Sequence, residues 1–209
     1  KPASALKTIP LVWPFAVWGL DMVGPLKTGR SGFTHVLVAV DKFTKWIEAK
    51  PIKNLEASTA VSFINELTFR YGVPHNTITD NGSNFDSDEF RAFCASQGTQ
   101  VDYASIAHPQ SNGQAERGNR LIPKGLKPQL MRDLRHAAVT WVDQLPSVLW
   151  GLWTTPNRAT SRTPFFLVCE AEAVLPSDLL HNAPRVELFL EEEQARQDIV
   201  ELLEEEREM

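Results

Sequence analysis

Three acidic residues stand in settings that would hold a carboxylate in a fixed place. Asp21, in WGLDMVGP, closes a short apolar run made by Phe15, Val17, Trp18 and Leu20. Asp80, in TITDNGSNF, follows the β-prone Thr77, Ile78 and Thr79, and Glu116, in HPQSNGQAERGNR, falls in the first turns of a helix opening after Gly113. Carboxylates at two strand ends and on one helix can converge although they are far apart in sequence. Such a group is a hard-oxygen site suited to Mg²⁺ or Mn²⁺, which prefer carboxylate and water ligands. The 35 residues between Asp80 and Glu116 are a weak signal by themselves, because 26 of the 209 residues are acidic and an isolated acid is usually a surface residue.

Other polar residues near these three have simpler readings. Asn81-Gly82-Ser83-Asn84-Phe85 is a turn after a strand, and its side chains could hydrogen-bond Asp80 or a phosphate. Asp86 and Asp88 begin a helix, where capping and the helix dipole account for them. Asp41, ending VAVD, is better explained by a turn or a salt bridge than by metal binding. His108, in a His-Pro at a loop start, is a structural or partner-facing group before it is an acid or a ligand. Asn119 and Arg120, at i+3 and i+4 from Glu116, share its helix face and could meet phosphate, base or Glu116 itself.

The elements that would carry these residues follow from hydrophobic period. Alternation predicts strands at 17–23, 34–41 and 45–51, with Lys27-Thr28-Gly29-Arg30-Ser31-Gly32 as the first hairpin connection. Ala60, Phe63, Ile64, Leu67 and Tyr71 form the stripe of a helix over 57–71, ended by Gly72-Val73-Pro74. A buried strand at 76–80, a helix at 86–97 stopped by Gly98, a strand at 101–104 and a long helix at 111–134 complete the order βββαβαβα. A further helix at 141–153, interrupted by Pro146, closes the core, and a short apolar segment at 165–168 follows a polar loop. The six tryptophans are too dispersed for a stacking platform, and most of them read as core.

Length fits one domain of ordinary size plus a tail. The three expected parts are a linker at 1–14, left from an N-terminal module, a core at 15–155, and an extension at 156–209 ending in an acidic amphipathic helix. The formal charge of -5 divides unevenly: residues 187–209 hold ten acids and two arginines, leaving 19 basic and 16 acidic residues in 1–186, a net of +3. A mildly basic core permits a nucleic-acid partner without demanding one. No run of 18 apolar residues occurs, so no membrane is expected. Cys94 and Cys169 lie far apart with no C-x-x-C; both are expected as buried thiols among Phe90, Phe93, Phe165 and Phe166.

Taken together, WGLDMVGP, HVLVAVDKFTKWIEA, FRYGVPHNTITDNGSNFDSDEF, AHPQSNGQAERGNR, WVDQLPSVLW and TPFFLV resemble the catalytic core of retroviral and retrotransposon integrases, most closely that of plant gypsy-type elements. The resemblance runs from about Trp18 to Ser177. It implies an α/β fold, a ribonuclease-H-like mixed five-stranded sheet flanked by helices, here with a C-terminal helical extension. It also implies two-metal polynucleotidyl transfer on element ends and target DNA, by a nuclear homo-oligomer that needs Mg²⁺ or Mn²⁺ and no small-molecule cofactor. Asp21 would be the bridging ligand, with Asp80 on one ion and Glu116 on the other. Asn81, His108, Gln110, Asn112, Gln114, Asn119 and Arg120 would be the DNA-contacting set, those from 108 to 114 on a loop of the kind the family uses against DNA. A plain ribonuclease H would share fold and metals, but the 35-residue interval and HPQSNGQAER match integrase.

The chain also departs from that pattern. Neither the zinc module usual before the core nor the usual C-terminal module is recognisable, which suggests a core fragment. Pro123 and Pro128 stand in the helix after Glu116, where an interior proline costs about 3 kcal/mol. Gly151, Trp153 and Glu170 occupy positions where the resemblance leads one to expect Ala, Arg and Gly. The alternative is therefore a decayed or domesticated integrase-like protein that binds nucleic acid without catalysis.

Overall fold

The computed structural model describes residues 13–54, 56–79, 85–103, 126–158, 160–181, 183, 184 and 188. The chain divides into two compact units, Lys1–Ala171 and Glu172–Met209. In the first unit β1 (Val17–Val23), β2 (His35–Asp41) and β3 (Ile47–Ile52) form an antiparallel meander. Helix α1 (Ala57–Tyr71) then crosses over to β4 (Asn76–Thr79), which lies parallel to β1, and α2 (Asp88–Ser96) leads to β5 (Gln100–Tyr103), parallel to β4. The strand order β3-β2-β1-β4-β5 puts β1 at the centre of the sheet. Helices α3 (Leu126–His136), α4 (Trp141–Thr154) and α5 (Pro164–Cys169) follow.

The pleat sorts the side chains of β1 between two cores. Trp18 and Leu20 join Leu37, Ala39 and Ile52 against Ala60, Phe63, Ile64 and Leu67 of α1 and Phe90 and Cys94 of α2. On the other face Val23, with Val36, Val38 and Val40 of β2, meets Leu130 and Leu134 of α3 and Trp141, Leu145, Leu149 and Leu152 of α4. A strand covered on both sides must be apolar throughout, so a carboxylate in β1 is conspicuous.

Helix α1 forms because its four buried residues repeat at helical spacing, the burial of Phe63, Ile64 and Leu67 contributing about 1.5–3 kcal/mol each. It stops at Gly72, which takes φ 89° while its N–H donates to the Thr68 carbonyl. At the C-terminal end of α1, Glu48 is almost fully buried and takes hydrogen bonds from Trp46 Nε1 (2.9 Å), Arg70 Nη1 (2.9 Å) and the Tyr71 hydroxyl. Burial and that carboxylate push the Tyr71 phenol well above its ordinary range.

Several boundaries differ from expectation for local reasons. The cap of α2 is Ser87, whose hydroxyl accepts the Phe90 N–H at 3.1 Å; Asp86 and Asp88 instead flank Arg91, both paired with it. Helix α4 runs without a break through Pro146, an exposed position where the carbonyl that loses its donor can turn to water. The apolar segment near 165 is a helix, begun by Thr163, whose hydroxyl accepts from Phe166 N–H at 2.9 Å, with Pro164 at the first helical position. Cys94 is buried as expected, with its thiol pushed up to about 11 by desolvation, but Cys169, at the end of that short helix, is exposed. The backbone is helical from Leu126 onward, so Pro128 is accommodated within α3. Pro123 lies outside the described residues. The second unit carries α6 (Pro176–Leu180), where the Asp178 carboxylate accepts the Leu175 N–H at 2.7 Å.

Candidate active site

Asp21 is the one member of the expected triad among the described residues, and it is a buried carboxylate, 6% exposed, in the central strand. Its register partner on β2 is Val38, a core residue of the face covered by α3 and α4, so Asp21 points to that face. Gly19, two positions earlier on the same face, projects no side chain beside it. One carboxylate oxygen, Oδ1, accepts the Met22 N–H at 2.7 Å, which helps fix its orientation. On its other side β1 pairs with β4 in the register Gly19↔Ile78, and β4 ends at Thr79. The strand end bonded to Asp80 is therefore the one that runs beside the Asp21 segment of β1.

Asp80, Asn81, His108, Gln110, Asn112, Gln114, Glu116, Asn119 and Arg120 lie outside the described residues. Among the described residues no three His, Cys, Asp or Glu side chains come together as a metal site.

The other acids singled out in sequence take separate roles. Asp41 pairs with Trp18, three register steps from the Asp21–Val38 pair, which is about 10 Å along the strand. It also faces the opposite side of the sheet. Fully buried, it closes the β2–β3 turn by accepting the Thr44 N–H and hydroxyl, both at 2.7 Å. Burial raises its carboxyl above the usual range, and these hydrogen bonds oppose that rise. The next residue, Lys42, is 5% exposed, and burial, reinforced by the neighbouring Lys45 charge, pushes its ammonium down to about 8. A Lys inside a turn of mixed composition carries no burial signal in the sequence, which is why this pair of shifted groups emerges only from the fold.

The tryptophans also converge more than their spacing suggests. Trp46 and Trp153 stack with centroids 4.6 Å apart and planes 6° apart, and Phe165 lies 6.4 Å from Trp46. Trp153 Nε1 donates to the Ile47 carbonyl at 2.7 Å, so the residue standing where Arg is expected is built into the core.

Comparison with known proteins agrees with this architecture. Residues 13–109 match the family model described as Integrase core domain. The chain carries an integrase core domain of the retroviral type. It is 32% identical over 84% of its length to the Pro-Pol polyprotein of feline foamy virus, and 31% identical over 87% to that of simian foamy virus type 3. It is 33% identical over 82% to the Gag-Pol polyprotein of feline leukemia virus. The chain spans only 15%, 15% and 9% of these relatives. Among solved structures it is similar to the catalytic core domain of BIV integrase, with TM-score 0.54 and 21% identity over 75% of this chain and 95% of that one. It is likewise similar to the HTLV-2 integrase catalytic core domain in complex with magnesium, in a trimeric form, with TM-score 0.53 and 21% identity over 75% of this chain and 97% of that one. The integrase core is thus ribonuclease-H-like, as the order of elements implies, and the family is one of polynucleotidyl transferases.

Proposed function

We propose that this integrase core comes from a gypsy-type retrotransposon and joins element DNA to target DNA in the nucleus. The observation that carries the reading is a carboxylate, Asp21, buried in the central strand of an integrase-type sheet beside the end of β4. Burying a charge is costly, and a cationic ligand offsets that cost for a carboxylate kept in an apolar strand. Asp21, Asp80 and Glu116 form an all-carboxylate donor set that fits Mg²⁺ or Mn²⁺ and would hold two such ions. Bound there, the ions supply activation of the nucleophile and stabilisation of the leaving oxygen.

The chain's own part is positioning. Asp21 is anchored by its pairing with Val38 of β2 in a strand that β4 pairs on the other side as far as Gly19, while Asn81, His108, Gln110, Asn112, Gln114, Asn119 and Arg120 are the proposed contacts to phosphate and base. In end processing, water attacks the phosphodiester and a 3′-hydroxyl leaves. In strand transfer, that 3′-hydroxyl attacks a target phosphodiester and the target strand's own 3′-oxygen leaves as a hydroxyl, so one P–O ester bond forms as one breaks and no enzyme-bound intermediate forms. A homo-oligomer acting on paired DNA ends is part of the proposal.

The test is strand transfer by purified protein on a pre-cleaved terminal duplex with Mn²⁺ or Mg²⁺, beside Glu116→Gln. Metal-dependent joining that the variant lacks supports the reading; a folded wild type that joins nothing under either metal refutes it.

Two backbone positions favour a second reading, a decayed copy that binds nucleic acid without catalysis. Glu170 ends α5 at φ 56°, where glycine is the unstrained choice, and Gly151 sits inside α4 with open space where a Cβ would be. Each is a small loss of stability.

A further inference from the structure

Resting on the DNA-joining reading, the geometry points to a further positioning device: we propose that Lys27, Arg30 and Lys53 form a rigid phosphate clamp that holds duplex DNA against the Asp21 site. The β1–β2 connection, residues 24–34, leaves β1 directly after Val23 and contains two cations and no carboxylate. Its backbone is fastened at both ends and in the middle. Leu26 is core, its N–H donating to the Thr34 carbonyl at 2.8 Å, and Gly29 N–H donates to the Phe33 carbonyl at 2.9 Å. The fully buried Trp141 donates from Nε1 to the Lys27 carbonyl at 2.8 Å. Gly29 lies so close to α4 that a Cβ would stand 2.7 Å from Val142 Cγ2 and 2.9 Å from Trp141 Nε1.

The cationic side chains are exposed, Lys27 and Arg30 on this fixed backbone and Lys53 just after β3, where the Ile52 carbonyl accepts the Thr34 N–H at 3.2 Å. Arg30 is 76% exposed and Lys27 and Lys53 face solvent, with Lys53 Nζ resting 5.5 Å from the Phe33 ring centroid. Asp143 pairs with Arg30 at 3.1 Å, and Glu56 accepts from Asn54 Nδ2 at 3.1 Å. An exposed pair such as Arg30–Asp143 contributes little and can exchange its carboxylate for a phosphate. A cation on a fixed backbone loses less freedom on binding than one on a free loop, which is the advantage of preorganisation.

Chain reach sets where these contacts fall. Lys27 lies six positions beyond Asp21 and Arg30 nine, at most about 20 and about 30 Å of extended chain. At about 3.4 Å per base pair these are within roughly six and roughly nine base pairs of the reacting phosphodiester. Contacts of this type fix register and carry no sequence information.

The test is duplex binding by the full chain, followed by fluorescence anisotropy from roughly 50 to 200 mM salt, where each lost phosphate contact reduces the slope of log K on log salt by about 0.9. The combined variant Lys27→Ala, Arg30→Ala, Lys53→Ala is expected to flatten the slope by about 2–3 and to weaken binding at the low-salt end. The charge-preserving variant Lys27→Arg, Arg30→Lys, Lys53→Arg is expected to keep it, and Asp21→Asn to keep it while abolishing joining. A neutral methylphosphonate placed within about six base pairs of the joining position weakens the wild type and leaves the combined alanine variant unaffected. An alanine variant that is folded by circular dichroism and keeps the wild-type slope overturns the clamp and leaves the integrase reading standing. A folded wild type that does not bind duplex DNA overturns both.

Discussion

Asp21→Asn isolates the chemistry of one residue from its structural role. The asparagine oxygen can still accept the Met22 N–H, so the fold should persist while joining falls by at least about 10²-fold, read on denaturing gels beside a circular dichroism spectrum. Glu170 and Gly151 predict the opposite kind of change. Glu170→Gly relieves a left-handed backbone, and Gly151→Ala lowers the entropy lost by a helix interior; each should raise stability by about 0.5–1 kcal/mol in urea titrations. Lys42 gives a pH signature. Its folded-state value near 8 lies below its ordinary 10.5, so the unfolded chain binds more protons between those values and stability rises with pH across that window. Between pH 8 and 10 this contribution is about 2 kcal/mol, opposed above pH 9 by the raised Cys94 thiol and Tyr71 phenol, so the stability difference between wild type and Lys42→Met in urea titrations should grow by about that amount across the window. Asp21 was legible in sequence because a carboxylate that interrupts an apolar strand must face the interior, where a charge is kept only for a purpose. Lys42 was not, because its burial is imposed by distant chain packing around the turn.

Elements were legible where a pattern and a stop signal coincided. Strand β1 and helix α1 have the expected limits, the latter because a clean amphipathic stripe meets a glycine that adopts φ 89°. Helix α2 starts two residues later than its composition suggests, because Asp86, Ser87 and Asp88 are all competent caps and only tertiary contacts choose among them. Cys169 is exposed against expectation because neighbouring phenylalanines signal burial for a strand or a long helix, whereas a six-residue surface helix leaves its last residue outside. Pro146 does not interrupt α4, whose buried face of Trp141, Leu145, Leu149 and Leu152 outweighs one lost hydrogen bond. The seat of Gly29 against the same helix makes a sharp prediction. Gly29→Ala should destabilise by about 1–3 kcal/mol, measured by chemical denaturation, because the added methyl has no space between Val142 and Trp141.

At the scale of the whole molecule, what could not be read was convergence. Trp46 and Trp153 are separated by most of the unit, yet they lie nearly coplanar-stacked where the β2–β3 turn meets the end of α4. Two indoles held parallel at 4.6 Å couple their electronic transitions, so the stack has an optical consequence. The native protein should show a tryptophan-pair contribution to its near-ultraviolet circular dichroism, lost on unfolding and lost equally in Trp46→Phe, a variant that keeps the amide signal of the helices. Because one indole comes from the early meander and the other from α4, that signal is a built-in gauge of chain closure. It would report, without any label, when the meander and α4 have come together during folding.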